Sequence, residues 1–195
     1  MKPDEIARRL TSVQRFAVLL AGANQASPIP GKLWLQKEMF LLSKSIPELW
    51  PDLGYEPALL GPFSDALEWA AEQLESVGLL KADESGFHLT VTGAECWDLL
   101  RKQTDDRTLA RVSEMKELLN DLSKDEMLVF VYFNYPEMAS ESEEIGRLRP
   151  KRIDLALRLF AKGKVGLEKG AKVAGLDVRG FAALLRRRGT ALHTE

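Results

Sequence analysis

Cysteine is all but missing from this chain. Cys96 stands alone among 195 residues, so no internal disulfide can form and a reducing, cytoplasmic home is expected. It falls on the apolar helix face of Ala94, Trp97, Leu99 and Leu100, where a small hydrophobe fills a core rather than attacks a substrate. Histidine is equally scarce. His88 and His193 are far apart, and neither has a second His or Cys at metal-ligand spacing, so no metal is expected. No apolar run approaches the ~18 residues of a membrane span, and the N-terminus lacks a signal-peptide pattern, which leaves a soluble protein with no membrane partner. Gly61-Pro62-Phe63-Ser64 lacks the Gly-rich loop with Lys and Ser/Thr of a phosphate cradle. Glu141, Glu143 and Glu144 read as a solvated charge run and not as an acid/base pair. With no convergent polar constellation, neither an enzymatic activity, a catalytic residue nor a cofactor is expected.

Charge of one sign is what the chain does have, segment by segment. The total is only −2. Residues 151–195 hold 11 Lys/Arg against 4 Asp/Glu, a net of +7, and residues 1–150 hold 16 against 25, a net of −9. An acidic body joined to a basic tail points to contact with a polyanion, double-stranded DNA, made by the tail alone.

The spacing within the tail agrees with that partner. Leu155, Leu159 and Phe160 recur at helical intervals, and Gly163 follows as a stop. A second short helix fits Leu167 to Ala174, with Leu167, Ala171 and Ala174 inward, and Gly175 supplies the positive φ of a sharp reversal. Asp177 is placed to cap a third helix, with Val178, Phe181, Leu184 and Leu185 as its apolar stripe and Gly189 as its end. A small Ala, a Gly four residues later and apolar residues at three-residue steps match a helix-turn-helix. In that arrangement Arg179, Ala182, Ala183 and Arg186 of the third helix face outward to the bases. Lys164, Lys169, Lys172 and Arg187 sit where phosphates pass. The alternative is a solvated three-helix unit, or one whose Arg186–Arg188 run meets an acidic protein.

Ala156 to Gly189 also resembles a family of small, uncharacterised antitoxin-like prokaryotic proteins associated with PIN-domain nuclease toxins. Their pattern is an apolar helix, Lys-Gly-Lys (Lys162 to Lys164), a Leu-x-x-x-Ala helix (Leu167 to Ala171), a Gly turn and a Phe-x-x-Leu-Leu helix (Phe181 to Leu185). The resemblance implies a DNA-binding homodimer that represses its own operon.

In the body, a helix runs from Asp4 or Pro3 through Ile6, Leu10, Val13, Phe16, Ala17 and Leu20 to Gly22. A second covers Lys32 to Ser45. The stretch Pro47–Pro62 holds four prolines and two glycines in sixteen residues and is expected to be irregular. Ser64 is a good cap for a helix with Leu67, Ala70, Ala71, Leu74 and Val77 inward and Gly78 at its end. Leu79–Ala82 and Phe87–Val91 about a polar turn predict a β-hairpin, with Thr92 capping the next helix. That order predicts a mainly α fold with a small β-hairpin: a winged-helix-like N-terminal domain plus the C-terminal three-helix helix-turn-helix unit. The candidate recognition helix carries Asp65, Glu68, Glu72 and Glu75 and no Lys or Arg, which repels phosphates, so this winged helix is expected to bind protein or to turn that helix away from DNA. Leu35-Gln36-Lys37, the Gly61-Pro62-Phe63-Ser64 turn and Gly78-Leu79-Leu80 resemble the winged-helix part of Panacea-type antitoxins, over residues ~30–100. That resemblance implies a toxin-neutralising surface.

Leu109, Val112, Met115, Leu118 and Leu119 form one side of a helix from Asp105 to Leu122, suited either to a dimer seam or to packing on its own domain. Ser123 caps a helix over Lys124–Phe133 whose Leu128, Val129, Val131, Tyr132 and Phe133 are too apolar for a free surface, with Leu128 and Tyr132 expected at a protein interface. The expected division is a winged-helix-like domain at 1–104, a packing or dimerisation segment at 105–140, a linker at 141–150 and the basic unit at 151–195. The expected function is a DNA-binding, antitoxin-like regulator acting as a homodimer. The alternative is a protein-interaction adaptor or toxin-neutralising module that never touches DNA.

Overall fold

The computed structural model describes residues 2–188, so the expected stop at Gly189 and His193 lie outside the described residues. Within them the protein is mainly helical with a two-stranded antiparallel sheet. Contacts gather into two compact units, residues 2–56 with 62–121 and residues 57–61 with 122–188. The division thus falls at 121/122, inside the stretch 105–140 that sequence spacing treated as one segment.

The first unit starts with α1 (Pro3–Arg9) and α2 (Ser12–Ala26) where one helix was expected. The apolar spacing runs on across the break, but the backbone extends at Leu10 and Thr11. A capping box holds it there: Thr11 Oγ1 accepts from the Gln14 N–H at 3.3 Å and Gln14 Oε1 accepts from the Thr11 N–H at 3.0 Å. The backbone leaves helical geometry at Ala23, and Asn24, Gln25 and Ala26 follow with positive φ. Next come α3 (Lys32–Ser45), a 3-10 turn at Pro47–Leu49, the single turn α4 (Trp50–Leu53) and α5 (Asp65–Ser76). Ser64 caps α5 as expected, accepting from the Leu67 N–H at 3.1 Å.

Strands β1 (Leu80–Asp83) and β2 (Gly86–Leu89) pair with Leu80 opposite Leu89 and Asp83 opposite Gly86. Ile29 adds a bridge to Phe87 on the other side of β2. The next helix, α6 (Val91–Lys102), is capped by Thr90 and not Thr92. Gly93 decides this start, because a Cβ there would strike the Leu79 carbonyl, so only glycine lets α6 leave the hairpin so closely. Asp105 caps α7 (Asp106–Asn120), which packs on α2 and α3. Val112 and Leu119 are buried and Leu109, Met115 and Leu118 half-buried, so its apolar row is spent within its own unit. Cys96 is buried in the core, as its helix face implied.

The second unit is built on α8 (Lys124–Asn134), α9 (Ile145–Leu148), α10 (Arg152–Ala161), α11 (Leu167–Ala174) and α12 (Val178–Arg187). Helix α8 packs against α10, α11 and α9, with the ring of Tyr132 against Gly61. Leu128 and Tyr132 are consequently fully buried. They hold a core together rather than present a docking surface. In the stretch 141–150, expected as a linker, Leu148 is buried, and the Arg147 guanidinium forks onto Asp125 of α8 at 2.6 and 2.8 Å and reaches Glu144 at 2.6 Å.

Candidate nucleic-acid interface

Helices α10, α11 and α12 close on a shared core of Leu155, Leu159, Phe160, Ala171, Ala174, Phe181 and Leu185, all buried. Phe160 and Phe181 meet edge to face with centroids 6.0 Å apart. Two glycines let α12 lie this close to α11. A Cβ at Gly170 would come within 2.6 Å of the Phe181 ring, and Gly175 turns the chain with φ +74°. The carbonyls at the end of α11 are satisfied by Arg152, whose guanidinium donates to Lys172 O at 3.0 Å and Val173 O at 2.7 Å while stacking 3.8 Å over Phe133. Asp177 caps α12 by accepting from the Gly180 N–H at 2.6 Å.

This frame turns a cationic stripe outward. Arg179, Ala183 and Arg186 recur at i, i+4 and i+7 and are exposed, with Arg187 beside them. The two outer arginines of the row start about 10 Å apart along the axis. Among the described residues, Arg179, Arg186 and Arg187 make no ion pair or hydrogen bond through their guanidinium groups. Only Gly180 and Ala183 stand between them, so the α12 backbone can approach a surface closely. Two residues of α12 differ from expectation. Ala182 is buried, since it lies one turn before Leu185 on the same face. Val178 is 40% exposed, because side chains tilt toward the helix N-terminus and at the first position it overhangs the end.

The lysines are tied back to their own unit. Lys172 donates to Asn134 O at 3.1 Å, Lys169 lies 5.4 Å from the Phe130 ring centre, and Lys164 is half-buried. Arg188 pairs with Asp154 at 2.8 Å. Among the described residues of this unit, the exposed arginines outside any ion pair or side-chain hydrogen bond are Arg179, Arg186 and Arg187 on α12, with Arg149 and Arg158 elsewhere.

In the first unit, Glu68 pairs with Lys32 at 2.9 Å, Asp65 and Glu72 are exposed, and Glu75 is half-buried. Trp69, 58% exposed, was missed by sequence reasoning. The signal was available: Trp69 is off the buried Leu67, Ala70, Ala71 and Leu74 row of α5 and on the stripe of Asp65 and Glu72. Asp83, Ser85 and His88 also meet, at the hairpin turn. Both Asp83 Oδ1 (2.9 Å) and Ser85 Oγ (2.7 Å) contact the same His88 Nε2. A nucleophile relay needs the serine and the carboxylate on opposite ring nitrogens, so the cluster acts as a turn clamp.

Buried polar groups were equally invisible in the sequence. Gln36 bridges the Ser64 N–H and C=O at 3.0 Å each, Tyr55 OH donates to Gln36 O at 2.8 Å, and Lys37 Nζ donates to Pro62 O at 2.7 Å. Burial lowers the Lys37 ammonium to about 7. Lys116 of α7 donates to Ala21 O at 2.8 Å and Ala23 O at 3.0 Å, where α2 ends, and burial lowers it to about 8. Glu38 is fully buried; burial raises its carboxyl well above the ordinary range, against the pull of the Lys116 charge.

Among the described residues, no group of three His, Cys, Asp or Glu side chains is placed to hold a metal ion, and no helix is long and apolar enough to cross a membrane. Comparison with known protein families, curated proteins and solved structures gave no match.

Proposed function

We propose that the chain is a DNA-binding regulator of antitoxin-like type, in which α10–α12 form a helix-turn-helix that grips duplex DNA and the acidic first unit, winged-helix-like, docks a protein. The observation that carries this reading is the exposed, unengaged row Arg179, Arg186 and Arg187 on a helix whose intervening residues are small. Such a helix fits a major groove, with Arg179 near the end that meets base edges and Arg186 and Arg187 reaching phosphates. Lys169 and Lys172 add backbone contacts from α11. Two copies on successive half-sites would present two such helices. The apolar rows of α7 and α8 are spent within their own units, so pairing would use another surface.

The test is titration of the full chain with a labelled duplex of random sequence at low salt. The double variant Arg186→Ala/Arg187→Ala is expected to weaken binding at least tenfold on every sequence, and Arg179→Ala to lower preference among sequences most. Removing two exposed carboxylates of the first unit with Asp65→Asn/Glu72→Gln should leave binding equal or slightly tighter. Equal loss from the arginine and the acidic variants would sink the assignment. A second reading, a module that binds only proteins, draws on exposed Trp69, an aromatic anchor of the kind found at protein interfaces.

A further inference from the structure

Among the tryptophans, Trp50 has the Lys44 ammonium 3.6 Å over its ring and Trp97 has the Arg101 guanidinium at 5.3 Å, while Trp34 donates its ring N–H to Leu119 O at 3.2 Å. Trp69 alone combines 58% exposure with no such contact among the described residues. Its surroundings on α5 are anionic. Asp65 stands one turn before it and Glu72 one turn after it on the same stripe, both exposed and outside any ion pair among the described residues. Glu68 and Lys32 close one flank with their 2.9 Å pair. No Lys or Arg occurs between Ser64 and Leu80.

We infer that this face of α5 captures an arginine-bearing basic segment of a partner protein, with a guanidinium stacked on Trp69 between the Asp65 and Glu72 carboxylates. The inference rests on the reading of the first unit as a protein-docking body and gives that body's partner a chemistry. Charge complementarity selects a cation, and the flat indole with a carboxylate a turn away on either side selects its kind. A guanidinium stacks on the ring while its N–H fork reaches the acids; an ammonium offers only a point charge. An acidic or purely apolar partner would leave two carboxylates desolvated and unpaired.

The experiment uses the full chain and fluorescein-labelled hexa-arginine and hexa-lysine peptides, followed by anisotropy at low salt. Hexa-arginine is expected to bind several-fold tighter than hexa-lysine. Trp69→Ala should cost about tenfold, with Trp69→Phe restoring part of it. Asp65→Asn and Glu72→Gln should each weaken binding, whereas Glu114→Gln, the same single charge change at an exposed position of α7, should not. If Trp69→Ala and Glu114→Gln behave alike, attraction is diffuse: the α5 site is refuted while a cation-docking body survives. If neither peptide binds, both are refuted. All these positions are exposed, so an unchanged melting curve verifies that the variants fold.

Discussion

Lys37 donates to the Pro62 carbonyl from the interior of the first unit, and burial lowers its ammonium to about 7. Below pH 7 the group is charged in both folded and unfolded chains, and its full burial cost is present. From pH 7 up to 10.5 the unfolded chain keeps a proton that the folded chain has released, so stability rises with pH by up to about 1.4 kcal/mol per unit. Lys37→Met removes this contribution. Urea unfolding at pH 7 and pH 9 should show wild type gaining on the variant, and a constant difference would contradict the buried, neutralising lysine. Glu126 works at the other end of the scale. Burial pushes its carboxyl up, but the Lys162 ammonium at 2.8 Å and the Ser123 cap bonds hold it below its ordinary value. Its contribution is present above pH 4.5 and lost as pH falls through the depressed value. Glu126→Gln should therefore melt lower at pH 7 and lose less on acidification than wild type.

At the scale of elements, the α11–α12 turn depends on space. Alanine favours a helix over glycine by up to about 1 kcal/mol, but a Cβ at position 170 would press on Phe181, itself locked against Phe160. Overpacking wins: Gly170→Ala should destabilise by about 1–3 kcal/mol in thermal melts and weaken DNA binding along with it. Gly146→Ala in α9 meets nothing within 4 Å and should be neutral or stabilising by under about 1 kcal/mol. The caps at Ser64, Ser123 and Asp177 were legible in the sequence because a short polar side chain directly precedes each apolar row. Bounds such as Lys32–Ser45 and Leu167–Ala174 followed instead from apolar spacing and the flanking glycines Gly31 and Gly175, since neither helix has a side-chain cap. The break at Leu10 was not, since apolar spacing continues across it, although Thr11 and Gln14 spell a capping box. Gln36, Lys37, Glu38 and Lys116 were hidden for a different reason. Polar and charged side chains on a helix are read as facing water. The tertiary partners Pro62, Ser64, Ala21 and Ala23 make the burial of Gln36, Lys37 and Lys116 tolerable, while burial itself holds the Glu38 carboxyl well above its ordinary range.

Over the whole molecule the decisive quantity is where charge is free. The chain is −2 in total, yet residues 151–195 carry +7 and residues 1–150 carry −9. Local pairing refines that split. Lys172 and Arg188 are engaged within their unit, and Arg179, Arg186 and Arg187 are exposed and outside any ion pair among the described residues. On the proposed reading, binding is strongly salt-dependent, because each phosphate that a cation neutralises releases counterions. The most direct measurement is the affinity of the full chain for duplex DNA across a salt series. The six cationic candidates Lys164, Lys169, Lys172, Arg179, Arg186 and Arg187 set the upper limit of the slope of log K against log salt at about −5. The three arginines alone would give about −3. A slope between these values that falls toward zero in Arg179→Ala/Arg186→Ala/Arg187→Ala is the predicted result. Binding that ignores salt, or keeps its slope without those arginines, would contradict the assignment.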